Sequence, residues 1–256
     1  MWKGIDVSDN QGAIDWAQVA AAKVAFAILR SVRRSGKTDH QFAANLEGCR
    51  KHNIPVSVYK YTYAATPEAA RQEAQHVVDL LRSHSLTGTM VWWDVEDKDV
   101  LRPLGSQNLT ECIRAAQDVI TTAGYGFGLY IGLYVYKERW FNFNTFAGTR
   151  LWVARYYKGY YTMQFDDEPD QKYKPDVGSD ISGWQYTSCG EIPGIKGDVD
   201  LDMAYGDPAA WSQPAEEPGV IYTVSVADVW TRAQAEVIRE QLAPLGVVVH
   251  KVKILE

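Results

Sequence analysis

Asp94-Val95-Glu96 closes an apolar run, Met90-Val91-Trp92-Trp93, that reads as a buried strand ending in two carboxylates. Residues two apart on a strand share a face, with Cα atoms about 6.6 Å apart. Both acids would therefore look into one cavity. Crowding and dryness raise the proton affinity of the most enclosed carboxyl, and Trp92 and Trp93 would supply the dryness. An acid still protonated near neutral pH can protonate a leaving glycosidic oxygen. Glu96, with the longer reach, is the expected donor, and Asp94 its fixed neighbour.

The shared face also limits mechanism. Two-carboxylate glycoside hydrolysis sets its acids on opposite sides of the scissile bond. Asp94 and Glu96 come from one side, so Asp94 suits holding a substrate group, such as an N-acetyl amide, while that group attacks. Otherwise Asp6 or Asp200 must attack or activate water. A divalent-metal site of Asp6, Asp94 and Glu96 is the competing reading, since hard cations take carboxylate oxygens. No phosphate-binding glycine loop accompanies it, and no metal or cofactor is expected. The five histidines, His40, His52, His76, His84 and His250, lie away from the strand ends, which disfavours a Ser-His-Asp hydrolase. Cys49, Cys112 and Cys189 have no ligand spacing and read as free, mostly buried thiols of a reducing cytoplasm.

The elements that must position these acids alternate from the start. Strands are expected over 3–7, 24–30, 54–63, 90–95, 126–131, 151–156, 183–187 and 199–203. Helices are expected over 14–22, 39–52, 66–83 and 106–122, the third with Thr66 as N-cap and Pro67 in its first turn. Such alternation implies right-handed βαβ units and a parallel sheet. Eight strands point to an α/β fold, a TIM-like (β/α) barrel missing helices in its last crossovers. Functional groups gather at the carboxyl ends of barrel strands. Those ends read Asp6, Arg30, Tyr61, Tyr63, Asp94, Glu96, Tyr130, Tyr156, Gln185 and Asp200. Four acids, one base and several tyrosines would share a mouth.

Composition narrows the partners. A net charge of −6 without a basic run disfavours nucleic acid. Nine Trp and fifteen Tyr suit sugars, whose rings pair apolar faces with hydroxyl edges. The start, Met1-Trp2-Lys3-Gly4-Ile5-Asp6, has no apolar stretch for a signal peptide, and no membrane span is expected. Residues 1–206 are read as the barrel, 207–219 as a Pro-rich linker and 220–256 as a small βαβ module. That module is small for independent stability, so it is expected to pack on the barrel or to pair with another copy, giving a homodimer or higher oligomer. Cutting after Gly206 is expected to leave a folded, active barrel.

Several ordered motifs resemble family 25 glycoside hydrolases, the Chalaropsis-type lysozymes. They are Gly4-Ile5-Asp6-Val7-Ser8 with Gln11 to Trp16, Phe26-Ala27-Ile28-Leu29-Arg30, Val58 to Ala64, Trp93-Asp94-Val95-Glu96, Leu151 to Tyr156, Trp184-Gln185-Tyr186, Ile192-Pro193-Gly194-Ile195 and Val199-Asp200-Leu201-Asp202. Arg30 stands where Lys is commoner, and Asp202 where Asn is usual. The resemblance implies a retaining, cofactor-free N-acetylmuramidase cutting the β-1,4 bonds of bacterial peptidoglycan. Glu96 would be the acid/base, Asp94 the positioning acid, and Asp6 and Asp200 the supporting acids. Arg30, Tyr61, Tyr63, Tyr130, Trp152, Tyr156, Trp184 and Gln185 would line the saccharide groove. The nucleophile stays open between the substrate amide and Asp6 or Asp200.

Residues 221–226 with the following helix faintly resemble half of a sporulation-related-repeat, wall-binding module. A phage endolysin fits the whole, with a bacterial autolysin as the other source. It would be made in the cytoplasm and act at the cell wall after lysis or holin-type export. The alternatives are an N-acetylhexosaminidase on chitin-like chains and a non-catalytic wall-binding barrel. Thr89 and Trp92 stand where a chitinase signature would carry Asp.

Overall fold

The computed structural model describes residues 1–212. The rest of the expected linker and the 220–256 module lie outside the described residues. Nine strands form one sheet: β1 (Trp2–Val7), β2 (Phe26–Arg30), β3 (Val56–Tyr61), β4 (Met90–Asp94), β5 (Gly126–Gly132), β6 (Arg150–Ala154), β7 (Met163–Gln164), β8 (Gly183–Glu191) and β9 (Val199–Ala204). Between them run α1 (Trp16–Ala21), α2 (Phe42–Lys51), α3 (Pro67–Ser83), α4 (Gly105–Thr122) and the short α5 (Leu133–Lys137). Thr66 caps α3 by accepting from the Ala69 amide, and Asp15 caps α1 by accepting from Ala17 and Gln18.

Strands β1 to β6 are parallel neighbours in chain order, and β8 pairs parallel with β6, which closes the barrel. The closing strand departs from the all-parallel expectation. β9 lies antiparallel to both β1 and β8. The stretch 192–198 between β8 and β9 is too short for the crossover that a parallel neighbour needs. The β6-to-β8 connection carries no α-helix, only the two-residue β7 and a 3-10 turn at Gln171–Tyr173 inside the expected loop. β7 pairs with the far end of β8, outside the barrel. α5 is also additional, a single turn too short to leave a helical period in the sequence.

Period-two alternation sorts each strand between two cores. One set of side chains, including Ile5, Leu29, Val58, Trp93, Leu129 and Trp184, packs under the helices and loops. The other fills the lumen: Phe26, Ile28, Met90, Trp92, Tyr130, Trp152 and Ala204. Small residues make room for the large rings. A Cβ on Gly4 would lie 2.4 Å from the Phe26 ring, and one on Gly128 would lie 2.5 Å from Trp92.

The chain does not leave the barrel at Gly206 as expected. Pro208–Ser212 forms a 3-10 turn that places Trp211, 2 % exposed, against the amino-terminal end of the lumen. Its ring sits 5.0 Å from Phe26 and 5.2 Å from Trp92, both edge-on. The expected linker therefore begins with a packed plug.

Candidate active site

The carboxyl ends of β1 to β6 and β8 define one rim, and β9 reaches that rim with its beginning. Asp200, expected at a carboxyl end, lies near the amino end of β9, directly opposite Asp6 of β1. The reversal of the strand is what brings the two together. Asp94 ends β4 in register with Tyr61 on one side and Tyr130 on the other. The ladder continues past it, with the Val95 amide donating to Tyr130 O at 2.9 Å. Glu96 thus faces the same way as Asp94, and Tyr134 Oη holds the Glu96 carbonyl at 2.9 Å.

Burial separates the acids. Asp6 and Asp94 are almost wholly enclosed, whereas Glu96 is half-buried. Burial is the main cause that pushes the Glu96 carboxyl up to about 7, with the Asp97 charge adding and Lys98 opposing. Burial likewise raises Asp94, followed by repulsion from Glu96 and Asp6, with Lys60 opposing. Asp6 and Asp200 are raised by burial first and then by neighbouring carboxylates. The most enclosed acid is therefore not the expected donor. Glu96 and Asp200 both combine raised proton affinity with access, and Glu96 has the longer reach.

A hydrogen-bonded chain fixes the floor. Tyr130 and Tyr156 both donate to Gln185 Oε1, the first at 2.8 Å, and Gln185 Nε2 donates to Asp6 Oδ2 at 2.6 Å. Tyr61 and Tyr63 stack at 4.7 Å beside the β3 end, with the Arg34 guanidinium 4.3 Å over Tyr63. Their backbone is anchored by Glu73 of α3, which accepts from Thr62 Oγ1 at 2.7 Å and from the Tyr63 amide at 3.3 Å. Lys60, buried on the helix side of β3, lies 3.4 Å from the same carboxylate. Burial holds the Lys60 amine below its usual range, and Glu73 opposes that.

Three expected groove residues serve other purposes. Trp152 lies in the lumen as floor, 2 % exposed, its Nε1 donating to Asp202 Oδ1 at 2.8 Å. Trp184 alternates outward, fully buried, and donates to Arg155 O at 3.0 Å. Arg30 spends its guanidinium on Asp9 and on Asp39, the latter at 2.7 Å, and so ties two rim loops together. Trp93 also turns outward, leaving Trp92 alone beneath Asp94 on the lumen side.

Sequence reasoning overlooked Tyr59 and Asp202. Tyr59 points into the lumen among Asp6, Asp94 and Asp200; burial first, and then Asp6, holds its phenol protonated. Its position two residues before Tyr61 was the available signal. Asp202 bears the same relation to Asp200. Tyr134 was hidden with α5, where no period announced it. Cys49 and Cys112 are buried free thiols, and Cys189 is a partly exposed one. Among the described residues no group of His, Cys, Asp and Glu is arranged to hold a metal ion. Among them, too, no helix is long and apolar enough to cross a membrane.

Comparison with known proteins decides the family. Residues 5–195 match the family described as glycosyl hydrolases family 25. The chain belongs to that family. This glycoside hydrolase is 24 % identical over 201 residues to an autolytic lysozyme of Clostridium acetobutylicum, an alignment covering 78 % of this chain and 55 % of the relative. The chain thus spans about half the length of the curated relative it matches. The modular autolysin LytC of Streptococcus pneumoniae superposes with a TM-score of 0.65 at 27 % identity, over 80 % of this chain and 46 % of that one. A bacterial lysozyme from Streptomyces coelicolor shares the fold, with a TM-score of 0.61 at 21 % identity over 82 % and 95 % of the two chains.

Proposed function

We propose that this family 25 hydrolase is an N-acetylmuramidase that cleaves the β-1,4 bond between N-acetylmuramic acid and N-acetylglucosamine in bacterial peptidoglycan. The observation that carries the reading is Glu96. It is a half-buried acid at the rim whose proton affinity is raised to about 7, set close to the more enclosed Asp6 and Asp94 and beside stacked tyrosines. Supporting it are the names of two relatives, an autolytic lysozyme and a modular autolysin.

In this mechanism Glu96 protonates the leaving oxygen and then, as a base, takes a proton from water, with configuration retained and no cofactor. Asp94 Oδ1 is buried without a hydrogen-bond partner, so it is free to accept from a substrate N–H. Asp94 would hold the N-acetyl amide while its oxygen attacks the anomeric carbon. Action is placed at the bacterial cell wall, where the substrate is.

Product analysis on purified sacculi tests the bond cut. New muramic acid reducing ends support the reading. Glucosamine ends would replace it with an N-acetylglucosaminidase, and no products at all with a wall-binding barrel. Activity lost in chelator and restored by a divalent ion would refute the cofactor-free form.

The pH profile is the second check. Glu96 must enter the first step protonated, so kcat/KM is expected to fall as pH rises through about 7. Wall-clearing rates measured from about pH 5 to about pH 9 would show it. A rate that stays flat across neutrality removes Glu96 as the acid.

A further inference from the structure

Asp202 has no part in the mechanism above, yet it is among the most enclosed acids of the protein. It follows Asp200 on the lumen face of β9, one layer deeper, and is 1 % exposed. Its Oδ1 accepts from Trp152 Nε1 at 2.8 Å. Its Oδ2 is buried and meets no donor. Across the β1–β9 pairing Asp202 stands opposite Gly4, which has no side chain, and diagonal to Asp6 on the same face, so the Asp6 carboxyl is its acidic neighbour.

The orientation of Asp6 is already set. Gln185 Oε1 accepts from two tyrosines, so its Nε2 must donate, and Asp6 Oδ2 must accept. What remain between Asp6 and Asp202 are carboxyl oxygens, and none of the surrounding hydroxyls or amides is bonded to Asp202 Oδ2. Two ionised carboxylates in contact, both enclosed, are strongly disfavoured. One proton placed between them converts a repulsion into a charge-assisted hydrogen bond.

We propose that Asp6 and Asp202 share one proton at neutral pH, which makes Asp202 a positioning residue that fixes the Asp6 carboxyl beneath the cleft. The pair then brings one negative charge to the acid cluster instead of two. The groups facing it are Asp200 on β9, Tyr59 on β3, Asp94 and Glu96 at the end of β4, Tyr130 on β5 and Tyr156 after β6, while Tyr186 of β8 acts on Asp202 from the outer core. None of them is a cation. Arg30 and Lys60, which act on this cluster from its edge, are tied to Asp9 and Asp39 and to Glu73. Burial and the Asp200 charge both raise the proton affinity of Asp202.

As a statement about catalysis the proposal rests on the muramidase reading, so its test reads quantities that need no substrate. The full chain and Asp202→Asn are compared. Asn can still accept from Trp152 and can donate to Asp6, so the fold is kept. A carboxyl raised above its ordinary 3.8 stabilises the fold fully below that pH, and this contribution is lost as pH rises through the folded value. The two proteins are therefore expected to melt alike near pH 4, and the variant higher at neutral pH, releasing about one proton fewer on unfolding. The infrared carbonyl band of protonated carboxylic acids should be weaker in the variant by one acid. An unchanged band together with an unchanged proton release would overturn the shared proton. Should the variant not fold, wild type alone still decides against it if no protonated-acid band is present at neutral pH.

Discussion

Glu96→Gln is expected to lower the wall-clearing rate by about 10²–10⁴-fold, the usual worth of a positioned general acid. Gln matches the protonated acid in size and neutrality, so the half-buried site should accept it without repacking. Stability separates this variant from a merely damaged one. Wild-type Glu96 has its proton affinity raised to about 7, so it loses its contribution to stability as pH rises from the ordinary 4.5 through that value. Glu96→Gln is uncharged throughout and should melt at the same temperature as wild type near pH 4 and higher above neutrality. Equal clearing rates for the two proteins would sink the assignment of Glu96. Asp94→Asn, by contrast, keeps a neutral proton donor at Glu96 and is expected to act through the N-acetyl group.

Trp211→Ala should destabilise the barrel by about 3–5 kcal/mol, the range for removing a fully packed aromatic side chain. Against a total of about 5–15 kcal/mol for a domain, that is a large share. The indole fills the amino-terminal end of the lumen against Phe26 and Trp92, and its removal leaves a void between those rings. By the same reasoning the cut after Gly206, which removes Trp211, is expected to leave a less stable barrel. A chain ending after Ser212 retains the plug and is expected to melt within a few degrees of the full barrel, with its clearing activity kept. Thermal melts of Trp211→Ala and of the two truncations check this. If the chain cut after Gly206 melts with the chain cut after Ser212, the plug contributes nothing. Light scattering and wall-binding assays on the chain ending after Ser212 show in addition whether residues beyond 212 set oligomeric state or wall affinity.

Most of the barrel was legible because strands buried on both faces leave apolar runs, and α3 and α4 leave long helical periods. The acids were legible for a related reason: Asp6, Asp94 and Glu96 interrupt such runs at their ends, where a parallel barrel gathers its chemistry. Strand direction was harder to read. The composition of Val199–Ala204 is the same whichever way it runs, and only the shortness of the connection before it gives the reversal away. Aromatic roles were hardest. Trp152 and Trp184 sit two strands apart in sequence, yet one floors the lumen and the other packs outside it. An indole suits both places equally well, so residue type could not decide. The partners of Arg30, Asp9 and Asp39, were not legible because they come from loops whose paths no local pattern foretells.

The alternation within β9 also guards the assembly of the chain. Asp200 and Asp202 point inward, while Leu201 and Met203 point to the outer core. A slip of one residue against β1 would exchange the two sets, driving both carboxyls under the outer apolar layer and two apolar side chains among the acids. The Asp202 carboxyl would lose its bond from Trp152, and Asp200 would lose its place opposite Asp6 at the rim. The bulges in β8 near Gln185 and Thr187 leave its pairing with β9 irregular, so that edge alone holds the register loosely. The ionisable groups therefore act as a proofreading device for the last strand to close the ring: the wrong alignment is rejected by the same carboxyls that the right one puts to use.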